Sequence, residues 1–230
     1  MKFGIVQFPG SNDDRDALHV VRSVLGCQGE SLWHKDQDLK GSDVVLLPGG
    51  FSYGDYLRTG AMARFSPIMG EVARHAQRGG TVIGICNGFQ ILCEAGLLPG
   101  VLVRNRGLGF ICKFVHLKVE DTDNRFFSTC RRGQILRVPI KHGEGCYFAD
   151  GETLKRLSGE RQVLVRYCTP SGEVAPGANP NGSLENIAGV CNAGRNVFGL
   201  MPHPEHATEA ILGNEDGRKI FESILQSAAQ

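Results

Sequence analysis

The chain has 230 residues, 41% of them hydrophobic, which is enough to bury one sizeable core. We therefore expect a single domain over residues 1–230. Lys and Arg together number 25 and Asp and Glu 24, so no basic excess favours binding to nucleic acid. The sequence contains neither a secretory signal nor an apolar run long enough to cross a membrane, and it predicts a cytoplasmic protein without membrane attachment.

The first half of the chain alternates short apolar runs with helical patterns. Apolar residues recur at helical spacing from Ala17 to Leu25, and Ser66-Pro67 has the residue types of a helix N-cap and first position, in a helix that Gly79-Gly80 closes. Two of the runs are almost continuously apolar, as in parallel strands covered on both faces. Strands are predicted over residues 2–8, 30–33, 43–47 and 81–85.

The second half adds further strands and one closing helix. The turn-forming run 192–196 indicates a hairpin, and Ile220, Phe221, Ile224 and Leu225 give the last helix an apolar face. Strands are predicted over residues 110–119, 135–141, 163–168, 187–192 and 197–201. The pattern predicts an α/β fold with a single doubly wound, mostly parallel sheet to which antiparallel strands are added.

The eight cysteines are spread along the chain without C-x-x-C spacing, so we predict neither a disulfide framework nor a metal site. Cys86 is distinctive because it lies in G-x-C-x-G between an apolar strand and the start of a helix. Gly84 and Gly88 would allow the sharp turn that exposes a nucleophile, and the Asn87 N–H could bind an oxyanion. On this motif alone, an inert cysteine in a glycine-rich turn is an equal alternative.

Met201-Pro202-His203-Pro204-Glu205 supplies a base and a carboxylate. A residue that precedes proline avoids helical backbone, so we expect an extended segment in which His203 and Glu205 project to one side, with Cα atoms roughly 6.5 Å apart. Glu205 would then fix the tautomer of His203. Without the cysteine motif, His203 would be a surface histidine in a turn. We interpret the histidines at four other positions as structural: His19, His34, His75 and His116.

Pro48-Gly49-Gly50 follows a predicted strand and is either a simple turn or the source of a second oxyanion donor. We assign that donor to the Gly50 N–H, beside the Asn87 N–H.

Together these residues resemble the class I, or triad-type, glutamine amidotransferases, and in particular the glutaminase subunits of phosphoribosylformylglycinamidine synthase. The resemblance covers essentially the whole chain, and several of its motifs are specific to those subunits. The motifs lie at residues 7–12, 47–56, 84–90, 142–145, 179–183 and 201–205.

The resemblance implies a triad of Cys86, His203 and Glu205 that hydrolyses glutamine to glutamate and ammonia. It also implies that Gln90 and the backbone at His142-Gly143 contact glutamine; otherwise Gln90 is a helix-surface residue and His142-Gly143 a turn. The implied partners are a synthetase subunit, which would use ATP to convert formylglycinamide ribonucleotide to the amidine, and a small third subunit. ATP and Mg would bind to the synthetase, with no cofactor in this chain, and the sequence has no P-loop pattern.

Two residues depart from the pattern of those subunits. Asp13 stands where cysteine is common, and His206 follows the triad glutamate where arginine is common. We expect neither to touch the triad, and His206 is a weaker candidate base because it lacks the i, i+2 relation to Glu205. Two other functions stay open, a cysteine peptidase or glyoxalase-like enzyme on the same fold and a non-catalytic binding module.

Overall fold

The structure is a computed structural model that describes residues 1–227. Its α-helices are α1 (Asp14–His19), α2 (Pro67–Gln77), α3 (Asn87–Glu94), α4 (Gly151–Gly159) and α5 (Arg218–Ser227). Its strands are β1 (Lys2–Gln7), β2 (Gln28–Trp33), β3 (Val44–Leu47), β4 (Thr81–Ile85), β5 (Val101–Val103), β6 (Ile111–Val119), β7 (Ile135–His142), β8 (Cys146–Phe148), β9 (Val163–Cys168), β10 (Ile187–Cys191) and β11 (Val197–Leu200).

Nine of the strands form one sheet in the order β2, β1, β3, β4, β11, β10, β9, β6, β7. The first five run parallel to one another, and each later strand is antiparallel to its neighbour. Because β1 is followed by β2 on one side and β3 lies on its other side, the strand order reverses between β1 and β3. Loops that follow the strands at such a reversal commonly form a ligand site. The predicted α/β sheet with added antiparallel strands is confirmed.

Each strand predicted from the sequence is present, with ends that differ by at most two residues. The short strands β5 and β8, which pair only with each other, were not predicted. Their apolar side chains point partly to solvent, as at Val101 and Phe148, so the sequence lacks the alternation that marks a half-buried strand. The hairpin between β10 and β11 and the apolar face of α5 are as predicted.

Two local predictions differ from the structure. The helix expected up to Leu25 is α-helical only to His19 and continues as a wider π-turn over Val20–Val24. Ser66 occupies the N-cap position of α2, but its hydroxyl lies 2.9 Å from the Tyr53 hydroxyl and makes no hydrogen bond to the helix. Among residues 1–227, no helix combines the length and the apolar character that crossing a membrane requires.

Helix α3 packs on β4 and β11 unusually closely because glycines line the contact. A Cβ atom on Gly88, in the first turn of α3, would lie 2.0 Å from the Leu47 carbonyl oxygen at the end of β3. A Cβ on Gly199 in β11 would lie 2.1 Å from the Phe89 ring. This approach brings the start of α3 to the carboxyl ends of the parallel strands.

We expect Gly88→Ala to lower the free energy of unfolding by about 2 kcal/mol or more, because the methyl group meets backbone that cannot move independently. Gly70→Ala is the matched control: Gly70 lies on α2, and its Cβ would have no neighbour closer than 3.9 Å. That change should raise the free energy of unfolding by about 0.5–1 kcal/mol. Denaturant unfolding checks both values, and equal effects of the two substitutions would contradict the close α3 packing.

Candidate active site

The predicted strand-turn-helix elbow is present around Cys86. Cys86 follows β4 directly and lies at the N-cap position of α3, with φ +51° and ψ −105°. This left-handed φ is strained for a residue with a side chain. A Cβ on Gly84 would lie 2.6 Å from the Gly88 carbonyl group, so both glycines of the motif are required by close backbone approach. The Cys86 side chain is buried at this turn, and its Sγ lies 3.8 Å from the Lys141 carbonyl oxygen, to which it donates.

The side chains of His203 and Glu205 form a buried hydrogen-bonded pair. The backbone N–H of His203 donates to the Pro139 carbonyl of β7 at 2.8 Å. The His203 Nδ1–H donates to Glu205 Oε1 at 2.6 Å, and both side chains are buried. Within residues 1–227, His203 Nε2 makes no hydrogen bond of ordinary geometry, so it is the nitrogen left for the thiol.

The backbone route to this pair differs from the prediction. His203 is non-helical, as expected before a proline, but residues Pro204–His206 form a 3₁₀ turn instead of an extended segment. Glu205 therefore reaches His203 by a tight turn. The expected hydrogen bond forms although the expected backbone does not.

Opposite charges set the protonation of His203. Burial disfavours the charged imidazole, but the Glu205 carboxylate and a Cys86 thiolate outweigh burial and raise the pKa of His203 to about 10. The site therefore stabilises the imidazolium, as a histidine that takes the proton of a thiol nucleophile requires.

A cavity of about 140 Å³ opens onto Cys86. Its wall includes four of the predicted site residues, namely Gly50, Gln90, His142 and Gly143, together with Phe51, Asp55, Thr59, Phe110, Lys141 and Glu144. Gln90 is only 5% exposed, so the alternative of a helix-surface glutamine is wrong. Its Nε2 donates to the Glu144 carbonyl at 2.5 Å, and its Oε1 accepts from Asn87 Nδ2 at 2.9 Å.

The two predicted oxyanion donors come from neighbouring loops. Gly50 has φ +146°, and a Cβ there would lie 2.7 Å from both the Asn12 nitrogen and the Gly10 oxygen. The loops after β1 and β3 are tied there, because the Asn12 N–H donates to the Gly49 carbonyl at 3.1 Å. Neither the Gly50 N–H nor the Asn87 N–H donates to an acceptor within the described chain. Both amides are available for an anion.

The loop that follows β7 is fixed by Asn105. The Asn105 Nδ2 donates to the His142 carbonyl at 2.8 Å, and its Oδ1 accepts from the Gly145 N–H at 3.0 Å. Burial, and then the charge of His203, lower the pKa of His142 to about 4, so its imidazole is neutral. Its Nδ1 lies 3.0 Å from the Asn105 side-chain oxygen, to which it donates.

The expectation that Asp13 and His206 do not touch the triad is wrong. Asp13 Oδ2 lies 3.5 Å from His203 Nδ1, and His206 Nε2 lies 3.6 Å from Glu205 Oε1. Asp13, His203, Glu205 and His206 each offer a ligand atom within 4.8 Å of the others, a set that could hold a metal ion. The Lys141 ammonium group, however, already binds the Asp13 carboxylate and supplies a positive charge there.

Several residues of the site were not predicted from the sequence. Asp55 and Glu144 lie inside two of the motifs that resemble the family, so these carboxylates could have been predicted as site residues. Asp13 and His206 were noticed only as departures from the family. Asn105 and Lys141 carry no local signal, because their roles depend on contacts between distant segments.

Comparisons with known proteins show the family of this chain. The family model of the CobB/CobQ-like glutamine amidotransferase domain matches residues 1–223. A protein of Gloeobacter violaceus named phosphoribosylformylglycinamidine synthase subunit PurQ is 58% identical over 99% of this chain and 98% of its own length. A PurQ subunit of Acaryochloris marina is 55% identical over 99% of this chain and 97% of its own length. A chain in the solved structure of PurLQS from Thermotoga maritima is 44% identical, with a TM-score of 0.88, and the match covers 99% and 98% of the two chains.

We expect Glu205→Gln to lower the pKa of His203 from its raised value, because burial persists while one of the neighbouring negative charges is lost. The pKa is read from the imidazole nitrogen shifts in an NMR titration. Glu209→Gln serves as control, since Glu209 pairs with the exposed His19 at 2.8 Å and should leave His203 unchanged. A His203 pKa that is the same in Glu205→Gln and the parent would contradict the assigned charge pair.

Proposed function

The chain belongs to the CobB/CobQ-like glutamine amidotransferase family, and from this premise we propose that Cys86, His203 and Glu205 are the catalytic triad of a glutaminase subunit of phosphoribosylformylglycinamidine synthase. The observation that carries the triad is the short hydrogen bond between His203 Nδ1 and Glu205 Oε1, which leaves Nε2 for the thiol of Cys86. The subunit supplies ammonia for the conversion of formylglycinamide ribonucleotide to the amidine in purine biosynthesis.

The proposed reaction has two steps. The Cys86 sulfur bonds to the carboxamide carbon of glutamine, and its proton passes to His203 Nε2. The C–N bond then breaks, His203 returns the proton to the leaving nitrogen, and ammonia departs from a γ-glutamyl thioester. A water molecule, deprotonated by His203, attacks the thioester carbon. The C–S bond breaks, His203 returns the proton to the Cys86 sulfur, and glutamate is released. Glu205 holds the tautomer and balances the imidazolium charge in both steps.

The cavity offers groups for each end of glutamine. The Gly50 and Asn87 N–H groups would bind the oxyanion that forms on the carboxamide oxygen. The Gly143 and Glu144 N–H groups donate to no acceptor in the part of the chain that the structure describes, and they would bind the α-carboxylate. The Asp55 carboxylate lines the same cavity and has a buried oxygen without a hydrogen-bond partner there, which suits the α-ammonium group.

We propose that this chain uses no cofactor in that reaction. The thiol, the imidazole and the backbone amides provide a nucleophile, a proton carrier and an oxyanion site. ATP and Mg would bind to the synthetase subunit.

The partner subunit is proposed to dock over the mouth of the cavity. Phe51 and Phe110 line the mouth, with ring centroids 6.4 Å apart, and Phe110 is 57% exposed. On the same two loops, Leu57 is 86% exposed and Leu108 78% exposed. Exposed apolar side chains grouped in this way are typical of an interaction surface. A small third subunit and a cytoplasmic location remain predictions from the sequence.

The loop after β3 contains strained residues and is tied to neighbouring segments by several hydrogen bonds. Three residues other than glycine, Tyr53, Asp55 and Leu57, have left-handed φ angles of 55–70°. Each costs about 1 kcal/mol or more. The Tyr53 hydroxyl anchors the loop, since it lies 2.6 Å from His34 Nδ1 and 2.9 Å from the Ser66 hydroxyl. A loop in this state can change conformation when a partner docks on Phe51 and Leu57.

We expect a diazo or chloroketone glutamine analogue to label Cys86, because the cavity that would hold its glutamine part leads to Cys86, whereas burial raises the pKa of thiols such as Cys93. Cys86→Ala should abolish glutamine hydrolysis but leave synthesis from free ammonia intact in the complex with the synthetase. Cys93→Ala is the control and should keep both activities. Mass spectrometry and glutamate assays check these outcomes, and ammonia-dependent synthesis lost from an assembled Cys86→Ala complex would show that the division of labour is wrong.

We expect the chain alone to be a poor glutaminase that its synthetase partner activates. Docking would shift the Pro48 to Gly54 segment and align the Gly50 donor, so the change should appear mainly in kcat. Glutamate production is measured for the chain alone, then with the synthetase, then with the synthetase, ribonucleotide and ATP. The same kcat and KM under all three conditions would contradict gating by the partner and leave the triad assignment intact.

A further inference from the structure

Asp13 is a second carboxylate at the catalytic histidine. It lies in the loop after β1 and is 2% exposed. Its Oδ1 binds the Lys141 ammonium group and lies 3.4 Å from His206 Nε2, while its Oδ2 lies 3.5 Å from His203 Nδ1. His203 Nδ1 therefore faces two carboxylates, Glu205 at 2.6 Å and Asp13 slightly farther away.

The backbone is arranged to leave room for this contact. The Asp13 N–H donates to the Gly49 carbonyl at 3.2 Å, which ties the loop after β1 to the loop after β3. A Cβ on Gly49 would lie 2.2 Å from Asp13 Oδ2 and 2.7 Å from His203 Cε1. Glycine at position 49 thus allows the carboxylate and the imidazole to meet.

Asp13 stays ionised although it is buried. Burial raises the pKa of a carboxyl group, but the His206 hydrogen bond, the charge of His203 and the Lys141 contact together hold the pKa of Asp13 well below its ordinary value. The Lys141 side chain is one-third exposed, so it connects this buried charge to the solvent side of the cavity. Burial opposes the charge of Lys141, yet Asp13, Glu205 and Cys86 raise its pKa.

We propose that Asp13 and Lys141 form a positioning pair that sets the charge and orientation of His203 during glutamine hydrolysis. Asp13 stabilises the imidazolium that forms when the Cys86 proton reaches Nε2, and Lys141 limits that stabilisation so that the proton can pass on to ammonia. The inference rests on the proposed function. It assigns to Asp13 and Lys141 an effect on His203 that the triad alone does not contain.

The charged and titratable groups around His203 come from four segments, and each bears on a pH profile. They are Asp13 after β1, Cys86 at the start of α3, Lys141 and His142 at the end of β7, and Glu205 and His206 in the 3₁₀ turn. Removing Asp13 takes away a negative charge, and removing Lys141 takes away a positive one. The two changes therefore predict shifts of opposite sign.

The test uses the complex with the synthetase and measures kcat/KM for glutamine against pH. In Asp13→Asn the basic limb should move to lower pH by about one unit, because the imidazolium loses a stabilising charge. In Lys141→Met the basic limb should move to higher pH. Asp13→Glu should restore most of the parent profile. Loss of packing alone would lower kcat, but it would not move the basic limbs of Asp13→Asn and Lys141→Met in opposite directions.

Asp121→Asn is the matched control, since Asp121 is also 2% exposed and its carboxylate binds Arg161 at 2.7 Å and Arg195 at 2.6 Å, away from the cavity. Its basic limb should coincide with that of the parent. Identical limbs in the parent, Asp13→Asn and Lys141→Met would overturn the inference, and if Asp13→Asn does not fold, the direction of the Lys141→Met shift decides it. A parent complex that does not hydrolyse glutamine would instead overturn the proposed function.

Discussion

Parallel pairing of β4 with β11 is the constraint on which the site depends. The register sets Ile85 opposite Leu200, and the Cys86 N–H donates to the Leu200 carbonyl at 2.8 Å. Cys86 therefore leaves β4 at the level where the chain leaves β11 toward His203. A nucleophile and a base that are more than a hundred residues apart in sequence are brought to one edge of the sheet by ordinary backbone hydrogen bonds.

Burial makes the charges at this edge interdependent. Cys86, His203, Glu205 and Asp13 are all buried, so each charge is screened less than it would be in water. A buried carboxylate is stable there only with its cationic neighbours, and the imidazolium only with its carboxylates. His142 at the cavity wall is neutral for related reasons, because burial and then the positive charge of His203 lower its pKa. The site works as one electrostatic unit, which explains why Asp13 and Lys141 are expected to matter for a reaction they do not themselves perform.

The sequence predicted the parts of the site that are local in sequence. The elbow at Cys86 and the pair His203 and Glu205 each lie within a few residues. The glycines predicted the geometry of the elbow, whereas the prolines predicted an extended segment at positions where the structure has a 3₁₀ turn. The contact of Asp13 with His203 joins residues 190 positions apart in sequence. It depends on the hydrogen bonds between the loops after β1 and β3, and no short motif predicts those. The same reason applies to Asn105, whose hydrogen bonds to the loop after β7 give the cavity its wall. In the fold, the nine strands of the main sheet were predictable from apolar runs, whereas β5 and β8 were not, because their apolar residues lie partly in solvent.

Trapping with hydroxylamine is the most direct test of glutamine hydrolysis through a thioester on Cys86. The complex with the synthetase is supplied with glutamine and increasing hydroxylamine, and ammonia, glutamate and γ-glutamyl hydroxamate are measured together. A thioester predicts that hydroxamate replaces glutamate while ammonia release does not fall, and that Cys86→Ala forms neither product. The contradicting result is that ammonia and glutamate form in equal amounts and no hydroxamate forms at any hydroxylamine concentration. Water would then attack glutamine directly, without a thioester on Cys86.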